Sequence, residues 1–324
     1  MRRAIEKHAP TLAACAAVVA AAAGLCLPAT LPWRWAAVAV LLVAGPYAIA
    51  GTAPVAARRL DRALPRWREL GERWLPYLAA ALGALVALGP VALGEMPVSQ
   101  DHANHYQLTE ILVHDMLPSG RLFGWTDRLG LGYPFGDIHY TLCYLVTGLP
   151  HLLSFGALDL QQSYAVGISG AWVLGSLAVV ALARRLGAGP IAAALAGIAV
   201  AFDVGSDREG GWTYSMFHGV WPQQLSTAIW VLSLLALWRL TERYDTRRLG
   251  AAALLTGLAI LTHPMGAMTA FLGAVVVFAV RLLGRDPDAE AGAPRGAIRL
   301  VPAVALGGLI GLAWFGRMLI GSSE

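Results

Sequence analysis

Nine apolar runs, most of them long enough to cross a bilayer, constrain this chain more than any other feature. They lie at 12–28, 35–53, 77–94, 163–183, 188–203, 220–240, 249–263, 266–283 and 299–320. A spanning helix needs roughly 20 residues, with about 17 as the lower limit. The runs at 188–203 and 249–263 are therefore short and must borrow from their flanks. Only 14% of the residues are charged while 57% are hydrophobic, whereas a soluble domain carries about a quarter charged residues. That balance excludes a disordered chain and a disulfide scaffold and argues against a soluble enzyme. The fold class read from it is all-α: a polytopic transmembrane helical bundle of about nine spans. A tenth apolar stretch, 140–157, is broken by Gly148, Pro150 and His151. It reads as an interfacial helix, because counting it as a span would put Arg184 and Arg185 on the wrong side.

Placing the N-terminus in the cytoplasm and alternating the spans leaves 19 of the 24 Lys and Arg residues inside. The exceptions are Arg34, Arg121, Arg128, Arg208 and Arg317. Cytoplasmic loops carry such an excess, so the net charge of +4 reports topology and predicts no nucleic-acid partner. Seven of the eight histidines fall outside, as do Asp101, Asp203, Asp207 and Glu209. The topology rule does not require this, and it places the polar chemistry on the exoplasmic side.

The expected organisation is two membrane helices and a basic cytoplasmic segment over 1–76, then a membrane module over 77–324. Within 54–76, Leu60, Leu64, Trp67, Leu70 and Trp74 recur at helical spacing among arginines, which fits a surface helix as well as a solvated loop. The first span has features of a signal peptide, namely a basic start, an apolar stretch and small residues near Pro28-Ala29-Thr30, but a retained helix is expected. Cys15, Cys26 and Cys143 are odd in number and lie in apolar surroundings, with no disulfide framework or metal-ligand spacing. No cofactor is expected. Carboxylates and histidines on one side leave a divalent cation open, but no tight ligand spacing specifies one.

The segment after the third span, 95–139, carries most of the polar signal. Residues 102–117 read as an amphipathic interfacial helix with Leu108, Ile111, Leu112 and Met116 on its apolar side, stopped by Pro118 and Gly120. Asp101 and His105 are four residues apart and share a face. Asp101 is a candidate general base with His105 orienting it; the competing role is a helix cap. Gly130, Gly132 and Gly136 have the wrong spacing for a dinucleotide fingerprint and mark a tight turn. Further along, Arg208 and Glu209 cluster with Asp203, Asp207, Trp212, Tyr214 and His218. Arg208 could meet a phosphate and the aromatics a sugar ring, or the loop is simply solvated. His263 ends an apolar run before Pro264, and an ionisable residue there is a functional candidate. Arg121 and Arg128 stand outside against the charge trend, as phosphate ligands would. Trp221-Pro222-Gln223-Gln224 offers amides at the same depth.

These residues carry a resemblance. Asp101 just outside a span, His105, a helix ending in Gly120-Arg121-Leu122, Trp125, and Tyr133-Pro134 before an apolar interfacial stretch resemble bacterial multi-pass proteins called 6-pyruvoyl-tetrahydropterin synthase-related membrane proteins. Arg184-Arg185-Leu186-Gly187 and Thr262-His263-Pro264-Met265 fit as well. Those proteins are similar to the GT-C class of glycosyltransferases. The resemblance covers roughly 77–320 and implies a seven-helix GT-C-like module in the bacterial inner membrane. It also implies a catalytic acidic residue in the first exoplasmic loop, matched by Asp101. The implied donor is a polyprenyl-phosphate-linked sugar, and the acceptor an unknown envelope glycan, lipid or protein. The chain stops at Gly321-Ser322-Ser323-Glu324, earlier than such proteins usually do, so a truncated form is expected. A transporter or lipid flippase is the competing class, opposed by the lack of an inverted repeat or of charged, broken helices at the midplane. A non-catalytic membrane protein is the third.

Overall fold

The computed structural model describes residues 65–136, 141–206, 208, 210–283 and 293–321. The expected spans 12–28 and 35–53, together with 54–64, Asp137, His139, Asp207 and Glu209, lie outside the described residues. The chain divides into two compact units, Met1–Pro76 and Tyr77–Glu324. In the first unit, residues 65–76 are helical, and the Arg73 guanidinium sits 5.2 Å from the Trp74 ring centre.

Ten helices are described: α1 (Pro65–Leu88), α2 (Asp101–Ile111), α3 (Thr141–Leu153), α4 (Leu160–Arg185), α5 (Pro190–Ala201), α6 (Trp221–Glu242), α7 (Thr246–Thr262), α8 (Pro264–Leu283), α9 (Ala293–Ile298) and α10 (Leu300–Gly321). Five helical stretches among the described residues are long and apolar enough to cross a membrane: Gly71–Leu93, Leu160–Arg185, Trp221–Glu242, Pro264–Leu283 and Gly296–Ala313. The two runs noted as short are α5, of 12 residues, and α7, of 17. At 1.5 Å per residue they measure about 18 and about 25 Å, against a hydrocarbon core of about 30 Å. Of the seven expected spans that fall within the described residues, five coincide with these long apolar stretches, and those at 188–203 and 249–263 form the two shorter helices. The basic helix and the third span, read as separate, are one continuous helix, α1, with Pro76 inside it.

Inside Tyr77–Glu324, α4 and α6 are the inner helices, whereas α8 and α10 keep Phe271, Leu272, Val276 and Leu309 exposed, as lipid-facing helices do. Small residues let the backbones approach, as membrane helices require. Gly307 and Gly311 of α10 lie against α7, where an added Cβ would come within 2.7 Å of Thr256 and 2.5 Å of Ile260. Hydroxyls join α7 to α6: Ser233 and Thr256 are 2.7 Å apart, and Ser226 donates to the Ala259 carbonyl at 3.2 Å.

The segment between α1 and α4 is the polar end of the unit. Helix α2 passes into a π-helical turn, Leu112–Met116, and its apolar side (Leu108, Ile111, Leu112, Met116) is buried, as the spacing predicts. The glycine-rich stretch is more than a turn. Gly124–Thr126 (β1) and Tyr133–Phe135 (β2) pair antiparallel. A Cβ on Gly132 would fall 2.0 Å from the Trp125 ring, so glycine is what lets the indole lie on the hairpin. Helix α3, of 13 residues, is too short to span. It is fastened to α4 by Ser163, whose hydroxyl donates to the Thr147 carbonyl at 2.6 Å and accepts the His151 amide at 2.9 Å. Asp159 and Gln162 close a capping box at the start of α4.

Candidate functional site

The first turns of α2, α3, α6 and α8 and the last of α7 enclose a cavity of about 510 Å³, lined among others by Asp101, His105, Tyr144, Pro222, Thr262 and His263. Four helices thus present their positive ends to it.

Asp101 is the first residue of α2, and its side chain caps nothing. Its carboxylate accepts no hydrogen bond among the described residues; its amide donates to the His218 carbonyl at 3.3 Å. The competing role of helix cap is therefore not the one it takes. Gln100, just before it, holds φ 29° and ψ −110°, a backbone region that costs a non-glycine residue about 1–3 kcal/mol. The His218 ring, 2.8 Å from the Gln100 amide oxygen, ties it there. Gly219 completes the seat: a Cβ would meet the His102 nitrogen at 2.7 Å.

His105 is buried, with Nδ1 3.1 Å from the Tyr144 hydroxyl. It was expected to orient Asp101; its Nδ1 is engaged by Tyr144, and it lines the same cavity as Asp101. Burial pushes the Tyr144 phenol well above its ordinary value and the Cys143 thiol up to about 12, so this cysteine stays protonated and inert. His263 accepts the Met265 amide on Nδ1 at 3.2 Å, which puts its ring proton on Nε2.

One residue that sequence reading passed over organises this end. His102 is fully buried. Its Nε2–H donates to the Met216 carbonyl at 3.1 Å, and its Nδ1 lies 3.1 Å from the Tyr164 hydroxyl, which in turn accepts the Trp221 indole N–H at 3.0 Å. The chain Trp221–Tyr164–His102–Met216 joins α6, α4, α2 and the loop before α6. Burial lowers the His102 pKa from 6.5 to about 4, against the raising influence of its backbone partners, so the ring is neutral at pH 7. No run or spacing marks it; the signal available was its position one residue after Asp101.

The remaining candidates do not line the cavity. Arg128 is held by Asp115 at 3.1 Å and Glu110 at 3.5 Å, and these carboxylates raise its pKa further. It closes the hairpin onto α2 rather than waiting for a phosphate. Arg121 and Arg208 are exposed elsewhere, Glu209 lies outside the described residues, and His218 adjoins the cavity through Gln100 and the Asp101 backbone. Among the described residues no three His, Cys, Asp or Glu side chains are grouped to hold a metal ion.

Residues 140–286 match the family model described as 6-pyruvoyl-tetrahydropterin synthase related domain, a membrane protein. The match supports the membrane family that the motifs resemble. It covers just under half of the chain, including Tyr144, Pro222, Thr262 and His263 of the cavity but not Asp101 or His105. No curated protein and no solved structure matches the chain.

Proposed function

We propose that this chain is an integral membrane glycosyltransferase of the GT-C kind, taking a sugar from a polyprenyl-phosphate donor on the outer face of the bacterial inner membrane. The observation that carries the reading is an uncommitted carboxylate, Asp101, in one cavity with His105 and His263 at the ends of apolar helices. The acceptor hydroxyl gives its proton to Asp101. The acceptor oxygen forms a bond to the anomeric carbon as the bond from that carbon to the phosphate oxygen breaks, and polyprenyl phosphate leaves. His263, with its proton on Nε2, and the positive ends of α6 and α8 face the charge that gathers on the departing phosphate. The acceptor is an envelope glycan, lipid or protein. Arg121, Arg208 and His218, near the same end, would meet the donor only through movement of their loops.

The test is donor consumption. Membranes holding the chain are supplied with hexose and pentose polyprenyl phosphates and an envelope extract, and release of polyprenyl phosphate is followed. Wild-type protein is expected to consume one donor, and Asp101→Asn to lose about 10²–10⁴ of that rate at equal expression. Consumption of none, or an Asp101→Asn rate near wild type, overturns the reading.

A further inference from the structure

A second cavity, of about 220 Å³, lies on another side of the first turn of α6, between α4, α5, α6 and the loop residues Asp203, Gly210, Gly211, Tyr214 and Ser215. Pro222 lines the Asp101 cavity, whereas Gln223 and Gln224, the next two residues, line this one. Asp203, Tyr214 and Thr227 complete its polar wall.

The polar groups here are unusual for their surroundings. The side chains of Gln223, Gln224 and Tyr214 make no hydrogen bond to the described protein, although α6 is an apolar spanning helix. Polar groups set inside such a bundle are normally paired. The Gln224 amide lies on the α4 backbone at Gly175, where a Cβ would stand 2.9 Å from its Nε2. Asp203 uses Oδ1 to accept the Gly205 amide at 3.1 Å. Over the cavity the loop is closed backbone to backbone, since a Cβ on Gly211 would fall 2.5 Å from the Gly205 nitrogen.

The chemistry of the wall selects the ligand. Among the described residues no lysine, arginine or histidine lines it, so none of them offsets the desolvation of a phosphate or carboxylate. Two amides each supply donors and an acceptor, the phenol supplies both, and Asp203 supplies an acceptor. Val179, Val200 and Val231 add apolar surface. Adjacent hydroxyls on an otherwise C–H-faced ring satisfy such a set. We infer that this cavity is a binding site for one neutral sugar ring, with Gln223, Gln224, Tyr214 and Asp203 as its hydrogen-bonding groups. That the cavity takes a sugar stands on its own wall; that the sugar is a unit of the acceptor rests on the transfer reading above.

The experiment is equilibrium binding, so it needs neither donor lipid nor turnover, and a chain without transferase activity would still show it. The full chain in lipid nanodiscs is titrated with methyl glycosides of the common hexoses and pentoses, followed by saturation-transfer NMR and calorimetry. At least one glycoside is expected to saturate. Gln224→Leu, which keeps α6 apolar and folded, and Val179→Phe, which fills the cavity, are each expected to weaken it about tenfold or more, as loss of a well-placed hydrogen bond does. Absence of saturation by every glycoside overturns the inference, because the cavity then holds only water. Unchanged binding in both variants also overturns it, because the sugar then sits elsewhere.

Discussion

The two ends of the helical unit treat their charged groups in opposite ways. Where α2, α6 and α8 begin, the Asp101 carboxylate has no hydrogen-bond donor among the described residues and opens onto a cavity. Where α4, α6 and α8 end, Glu242 is surrounded. Arg185 and Arg281 both bridge to it, Trp238 donates its indole N–H at 3.1 Å, and the Arg281 guanidinium lies 4.3 Å from the Trp238 ring centre. The cleft beside Arg185, about 420 Å³, is walled by Leu182, Trp230, Leu234 and Leu272. Satisfied charge fastens helices; unsatisfied charge held in a rigid seat is available for chemistry. The first pattern belongs to the arginine-rich end and the second to the histidine-rich end.

Accessibility gives the sharpest way to break this contrast. Ser119 and Thr246 are both exposed, at opposite ends. In intact cells an impermeant thiol reagent is expected to label Ser119→Cys fully and Thr246→Cys not at all; labelling at 246 would reverse the orientation and move the Asp101 cavity to the cytoplasm. Next in size is Asp101→Asn, with its expected loss of about 10²–10⁴ in transfer rate, set against Arg185→Gln, which is expected to leave transfer unchanged. A large loss in both would mean that the ends are not functionally distinct.

The third test is a pH dependence. His102 has a folded pKa of about 4 and an unfolded value of 6.5. Between these values the unfolded chain binds the proton and the folded chain does not, so stability falls as pH drops from 6.5 to 4 and is level above. The shift corresponds to about 3 kcal/mol. Chemical denaturation across that range should show the slope in wild type, and His102→Gln should flatten it. A wild-type curve already level would mean that His102 is not the buried neutral ring described. The smallest effect belongs to the other end: Glu242→Gln, in a partly exposed cluster, is expected to cost no more than about 1 kcal/mol, read as a small fall in melting temperature with transfer intact.

Asp101 and His263 could be found in the sequence because an ionisable residue at the edge of an apolar run stands out against its neighbours. His102, Tyr144 and Tyr164 could not. His102 faces Tyr164 and Tyr144 faces His105 across separate helices, and along the chain each looks like an ordinary core or interfacial residue. Arg128 misled for the same reason, since its partners Glu110 and Asp115 sit on a helix that only the hairpin's fold brings beneath it. The hairpin itself was hidden by strands of three residues, too short to show alternation. The helical fold class was legible throughout, because apolar run length is a local property. The lengths of two spans were less legible: the run at 188–203 forms a helix of only 12 residues, and that at 249–263 extends into its flank to 17.

The backbone at Gln100 carries one more consequence. A chain optimised for durability alone would place glycine there, since glycine adopts that conformation without penalty. Gln100→Gly should therefore yield a protein that survives heating at least as well and works less well, because the tether to His218 that aims the neighbouring carboxylate is gone. Stabilising screens applied to this chain would drift toward that residue, and toward a tougher, idle protein.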